Sequence, residues 1–252
     1  MARRTYGQFC PIGYSLDLLG ERWTLLIVRE LASGPRRFTD LRTNLAGVAP
    51  NLLTDRLRAL EAAGIVTTRE LPPPAARTVY TLTEHGSTLR PALYELARWG
   101  LGLLGAPGAD EHFPTDMVPD ALRAMVRTEE VPDYGVVIAF DLDEGAHAMT
   151  VTPRAPRGER CPTSERIAVE SVDIDSPGRG ATEATDTGTD DPTLTVTASL
   201  TALLWLRTGA MAPAELRSQG LITLRGGPSA VRDFAHMWGV DPADLATTPQ
   251  ML

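Results

Sequence analysis

From Pro50 onward the apolar residues of this chain recur at helical spacing. Leu53, Leu57 and Leu60 stand at i, i+4 and i+7, the mark of one buried face. Pro50 occupies a first-turn position and Gly64 a stop, so the spacing predicts a helix between them. Its opposite face is polar: Asn51, Thr54, Asp55 and Arg58. Three shorter helices are predicted upstream. The first is Ile12–Leu19, closed by Gly20; the second carries Trp23, Leu26, Ile27 and Leu31 and ends at Gly34-Pro35; the third carries Phe38, Leu41 and Leu45, with Gly47 opening the turn. After Gly64 the period changes. Ile65–Leu71 and Arg77–Leu82 are rich in β-branched and aromatic residues and flank Pro72–Ala76, which predicts a hairpin with a stiff tip.

Helix, turn, helix and then a two-stranded wing is an arrangement that offers one polar helical face to base edges and phosphates. Beyond the wing, Thr83 offers an N-cap for a helix predicted to run to about Leu104. Leu89, Leu93, Leu96, Gly100 and Leu103 alternate spacings of four and three along it, close to the ~3.5 period of a helix packed on another. Gly105–Thr115 reads as a linker. The remainder predicts helix at Val118–Val126, strands at Tyr134–Leu142, Ala146–Pro153, Arg166–Ile174, Leu194–Thr197 and Leu221–Leu224, and helices at Ala198–Thr208, Pro213–Gln219 and Pro228–Trp238. Asp175–Pro192 is acidic and turn-rich, and its elements stay unordered. The fold class is α+β: an N-terminal winged helix-turn-helix domain over residues 1–106, then a C-terminal sheet domain over residues 116–252 with helices on one face.

Charge sharpens the division. The whole chain of 252 residues carries −8, which is unpromising for a nucleic-acid partner. Residues 1–105, however, hold 13 Arg against 9 acids, a net of +4, while residues 106–252 hold 11 Arg against 23 acids, a net of −12. A modest front excess puts phosphate contact on a few well-placed Arg side chains. All 24 basic residues are Arg, so no lysine exists to form a Schiff base. Two cysteines, Cys10 and Cys161, make no secreted disulfide framework, Met1–Tyr6 lacks an apolar run after its arginines, and the longest apolar stretch, Ala198–Leu206, falls far short of the roughly 20 residues of a membrane span. A cytoplasmic location without membrane contact is the expectation.

The front half resembles the HxlR-type winged-helix transcriptional regulators. The carrying text is Cys10-Pro11, Leu19–Ile27, Arg37–Arg42, Leu53–Glu61 with Gly64-Ile65-Val66, Tyr80–Gly86 and Trp99-Gly100. It departs from the family at Ala49, where a capping Ser is usual, and at Pro72–Pro74. The resemblance implies a homodimer that sets two recognition helices in successive major grooves of double-stranded DNA, with wings on flanking backbone. It also places Cys10 where redox-sensing members carry a reactive cysteine. The back half resembles, more loosely, sterol carrier protein type 2-like domains, through Leu194–Leu200, Leu203-Leu204 with Gly209, and Gly220–Pro228 with the helix through Phe234. That likeness implies an apolar small-molecule effector.

The residues expected at DNA are Asn51, Thr54 and Arg58 near bases, beside Pro50 at the helix start, and Arg37, Arg56, Arg69 and Arg77 near phosphates. The plainer reading of each Arg is a surface ion pair. Phe140, Met149, Leu203, Trp205 and Met237 are the candidate effector lining, against the plainer reading of ordinary core. No enzyme, cofactor or metal site is expected. His85, His112, His147 and His236 are dispersed, and Gly100–Gly105, a literal dinucleotide pattern, ends a helix rather than following a strand. The rival class is a small-molecule or lipid carrier whose winged helix serves dimerisation or protein contact.

Overall fold

The leucine period is realised in a computed structural model of the chain, which describes residues 5–72, 77–104, 117–143, 145–151, 167–171 and 193–245. Contacts divide the chain into two units, Met1–Leu93 and Tyr94–Leu252. The expected linker Gly105–Thr115, the tip residues 73–76, Cys161 and the Asp175–Pro192 stretch lie outside the described residues.

The front unit opens with α1 (Pro11–Leu19), α2 (Thr24–Ala32), α3 (Phe38–Asn44) and α4 (Pro50–Ala62). Ile27, Val28 and Leu31 of α2, Leu41 of α3, Leu45 and Val48 of the turn, and Leu53, Leu57 and Leu60 of α4 form one buried cluster. The α3–α4 turn is thus anchored at both ends by apolar side chains. Helix α4 ends as its sequence requires: Gly64 takes φ +68, the Gly64 N–H donates to the Glu61 carbonyl (2.9 Å) and the Ile65 N–H to the Leu60 carbonyl (2.9 Å). Those two bonds satisfy carbonyls that the helix end would leave open. The chain then enters the wing, β1 (Val66–Glu70) antiparallel to β2 (Thr78–Leu82), with Val66 opposite Leu82 and Arg69 opposite Val79. Arg36 adds a bridge to Tyr80 from the other side, through backbone bonds of 3.0 and 2.7 Å.

The single helix expected from Thr83 to Leu104 is instead two, α5 (Glu84–Ser87) and α6 (Arg90–Leu101). The Thr83 Oγ1 accepts from the Gly86 N–H at 2.9 Å, the cap that the sequence announced. The break falls just before Pro91, which has no N–H to continue α5 and begins a fresh first turn where that N–H is not needed. The proposed stripe is divided accordingly. Leu89 and Leu93 pack on the front cluster, whereas Leu96 and Leu103 are exposed.

In the second unit, α7 (Val118–Met125) and a 3-10 turn (Thr128–Glu130) precede β3 (Val136–Leu142), β4 (Gly145–Val151), β5 (Ile167–Ser171), β6 (Leu194–Ala198), α8 (Leu200–Thr208), α9 (Pro213–Ser218), β7 (Ile222–Gly226), α10 (Pro228–Trp238) and α11 (Pro242–Leu245). The strands form one sheet in the order β5-β4-β3-β6-β7, antiparallel except where β3 and β6 run parallel. Burial alternates along them. Val136, Ile138, Phe140 and Leu142 face the core, whereas Val137, Ala139 and Asp141 are less covered. Leu122 and Met125 of α7, Leu203 and Leu206 of α8, and Phe234 and Trp238 of α10 complete that core. Helices on one face of a sheet are what the strand and helix patterns predicted. Leu101 belongs to this core, and the second half of α6 is tied to α7: the Tyr94 hydroxyl donates to Asp120 Oδ1 (2.7 Å) and Arg98 Nε to the Val126 carbonyl (3.3 Å). Burial, then the Asp120 charge, raises the Tyr94 phenol above its ordinary range, so it stays a donor.

Candidate nucleic-acid interface

The leucine stripe of α4 decides which of its side chains can meet a ligand. With Leu53, Leu57 and Leu60 buried, Pro50, Asn51, Asp55 and Arg58 are left exposed. Thr54 is half-buried, and its hydroxyl donates to the Pro50 carbonyl at 3.0 Å. That bond uses the hydroxyl's single proton, so Thr54 can meet a base only as an acceptor. Arg58 stands near the wing. Burial raises the Tyr80 phenol above its ordinary range, the Glu61 charge adds to the rise and Arg58 opposes it. On the wing itself Arg69 and Arg77 are exposed, either side of the tip. Arg37 opens α3, half-buried, with its backbone N–H donated to Asp40 Oδ2 at 2.9 Å.

Arg56 is the exception among the expected phosphate ligands. Its Nη2 lies 2.8 Å from Glu21 Oε2 and its Nε donates to the Arg22 carbonyl at 3.3 Å. A phosphate would have to displace this surface ion pair, so Arg56 is engaged within the domain where Arg69 and Arg77 are exposed. The sequence carried the signal: Arg56 stands three residues after Leu53 and four before Leu60, beside the inward stripe rather than opposite it.

Glu30 went unremarked in the sequence. This wholly buried carboxylate on α2 takes Arg29 Nη2 at 2.7 Å and Asn44 Nδ2 at 2.9 Å, fastening α2 to α3 behind the exposed face. The available hint was an Arg29-Glu30 pair set among the apolar residues of Leu25–Ala32.

In the second unit Phe140, Met149, Leu203 and Met237 are buried core, and Trp205 packs half-buried against it. The Phe140 ring lies 5.7 Å from Trp238, which stacks on Phe234 at 4.4 Å. The buried Trp238 indole N–H has no hydrogen-bond partner among the described residues. Cys10 is half-exposed at the N-cap of α1. Among the described residues no group of three His, Cys, Asp or Glu stands close enough to hold a metal ion, and no helix is long and apolar enough to cross a membrane.

A three-helix core that ends in an exposed polar helix, followed by a two-stranded wing, defines a winged helix-turn-helix DNA-binding domain. Comparison with known proteins gives the family. Residues 18–106 match the HxlR-like helix-turn-helix model. The HTH-type transcriptional regulator BH0655 of Halalkalibacterium halodurans is 37% identical over 95 residues, which are 37% of this chain and 84% of that protein. The HTH-type transcriptional regulator YodB of Bacillus subtilis is 35% identical over 91 residues, 36% of this chain and 81% of its own length. Rv3095 of Mycobacterium tuberculosis, also an HTH-type transcriptional regulator, is 42% identical over 96 residues, 38% of this chain and 60% of that protein. The solved reduced form of YodB is 32% identical and covers 40% of this chain, with a TM-score of 0.34. The chain belongs to the HxlR-like helix-turn-helix family and is a DNA-binding transcriptional regulator. The carrier reading is not favoured, since these relatives are transcriptional regulators.

Proposed function

We propose that this regulator acts in the cytoplasm as a homodimer on a pseudo-palindromic operator, with α4 of each protomer in a major groove and the wings on flanking backbone. The observation that carries the reading is the outward face of α4, where Asn51 and Arg58 are exposed opposite three buried leucines. A bidentate Arg reads guanine and Asn reads adenine. Arg69 and Arg77 on the wing, and Arg37 at the head of α3, serve as phosphate ligands. Dimerisation is supported by apolar side chains left uncovered: Ile12, Tyr14 and Leu16 on α1, and Leu96 and Trp99 on α6. Two-fold binders need such a self-complementary surface.

Residues 1–106 form the DNA-binding and dimerisation domain in this reading, and residues 116–252 a sterol carrier protein type 2-like effector domain. An apolar effector would lodge among Phe140, Met149, Leu203, Trp205 and Met237. Because these side chains are packed together, its entry would rearrange the core instead of filling open space. Oxidation of Cys10, at the head of α1, is a second input in the same reading.

The test is a gel-shift titration at several salt concentrations. Arg58→Ala costs about 1–3 kcal/mol on the operator and relaxes the choice of base at one position. Arg77→Ala weakens binding to every duplex and lowers the salt slope by about 1. Equal losses by both variants on all sequences would refute the reading.

A further inference from the structure

The turn between α1 and α2, Gly20–Trp23, is held in a conformation it would not choose alone. Trp23 takes φ +78 and ψ −20. A bulky L residue in the left-handed region is strained by about 1–3 kcal/mol and persists only where its surroundings over-determine it. Two contacts do so here. The Trp23 ring packs on the front cluster, and the Arg22 guanidinium lies 5.2 Å over that ring. The two residues that precede the strained one are fastened to α4: Arg56 donates to the Glu21 carboxylate at 2.8 Å and to the Arg22 carbonyl at 3.3 Å. One planar guanidinium makes both bonds, which a lysine ammonium on its flexible stem cannot reproduce with the same geometry. Apart from its buried leucines, helix α4 has no polar side-chain tie at its N-cap, which is Ala49.

We infer that Arg56 is a positioning residue: by bolting the strained Glu21–Trp23 turn to α4, it sets the angle at which Asn51 and Arg58 are offered to a duplex, and so governs selectivity. A phosphate ligand would instead act on all duplexes alike. The inference rests on α4 being the helix that enters the groove.

The experiment uses the full-length protein. Its probes are the duplex that the wild type enriches from a random pool and a shuffled duplex of equal length. Glu21→Gln, Arg56→Lys and the double variant Glu21→Gln/Arg56→Gln are compared with Arg58→Ala, alongside thermal unfolding of each. Glu21→Gln and Arg56→Lys each weaken the enriched duplex about three- to tenfold, with the shuffled duplex and the salt slope unchanged, and the double variant is no worse than either. Tighter binding by Glu21→Gln would overturn the inference, because it would mean that the acid had been withholding Arg56 from phosphate. Parallel losses on both duplexes that track a falling Tm would reduce the pair to a structural strut, and no change at all would dismiss it. In each of those cases Arg58→Ala still loses selectivity. Should Arg58→Ala keep it, or should no duplex be enriched, the placement of α4 is what fails.

Discussion

Glu30 shows how a single side chain can support a surface it never reaches. A carboxylate buried without partners is expensive, and one whose oxygens are both bonded is tolerable. Arg29 and Asn44 supply those bonds from α2 and the end of α3, so Glu30 adds a polar tie to the apolar packing of the two helices behind α4. Asn44→Ala leaves Oε2 buried and short of a donor. It is expected to lower the stability of the front domain by about 1–3 kcal/mol, read as a shift of the urea midpoint at constant m. An unchanged midpoint would mean that the carboxylate had found water. Thr54 makes a different point at the same scale. With its proton given to Pro50, it can accept only from an amino group, such as adenine N6 or cytosine N4.

Among the elements, α4 and the α5–α6 break are governed by what their ends can satisfy. Ala49 holds extended backbone at the α4 N-cap, φ −67 and ψ 139, but offers no oxygen to the open N–H groups. Ala49→Ser is expected to add about 0.5–1 kcal/mol to the front domain in urea unfolding. Inside α5, Gly86 leaves no room for a side chain, since a Cβ there would collide with the Ile65 carbonyl oxygen. Since that oxygen is backbone and already accepts from the Thr83 N–H at 3.0 Å, it cannot move aside cheaply. Gly86→Ala should therefore destabilise by more than about 2 kcal/mol. Gly100, inside α6 with nothing within 4 Å of its missing Cβ, is the control, and Gly100→Ala should gain about 0.5–1 kcal/mol from helix propensity alone. Matching effects of the two substitutions would show that the contact with Ile65 does not restrict position 86.

For the molecule as a whole, each unit leaves something uncovered on α1 or α6. Ile12 and Trp99 are about 70% exposed, unusual for side chains that contribute most when taken out of water. If these faces join two copies, Ile12→Asp and Trp99→Asp each shift sedimentation toward the monomer and weaken operator binding in proportion. A wild type that sediments as a monomer at every concentration would remove the dimer from the reading. The charge asymmetry belongs to this scale too. The acidic back half has no electrostatic reason to approach a phosphate backbone, so the salt dependence of binding should reflect the front arginines alone.

What the sequence by itself determined is everything governed by neighbours within a turn or two. The α4 stripe, its Pro50 start and Gly64 stop, the wing, the Thr83 cap and the alternation of the β3 strand all follow from local period and local backbone preference, and all are present. The tertiary structure alone decided which polar side chains remain available. Arg56 and Arg58 are two residues apart and alike in chemistry, yet one is spent on a turn 35 residues earlier in the chain while the other stays exposed. The continuous helix expected past Thr83 is interrupted just before Pro91, which has no N–H to carry α5 onward. The Arg56 contact joins groups distant along the chain, and helical period shows only that Arg56 flanks the buried face, not which groups it meets.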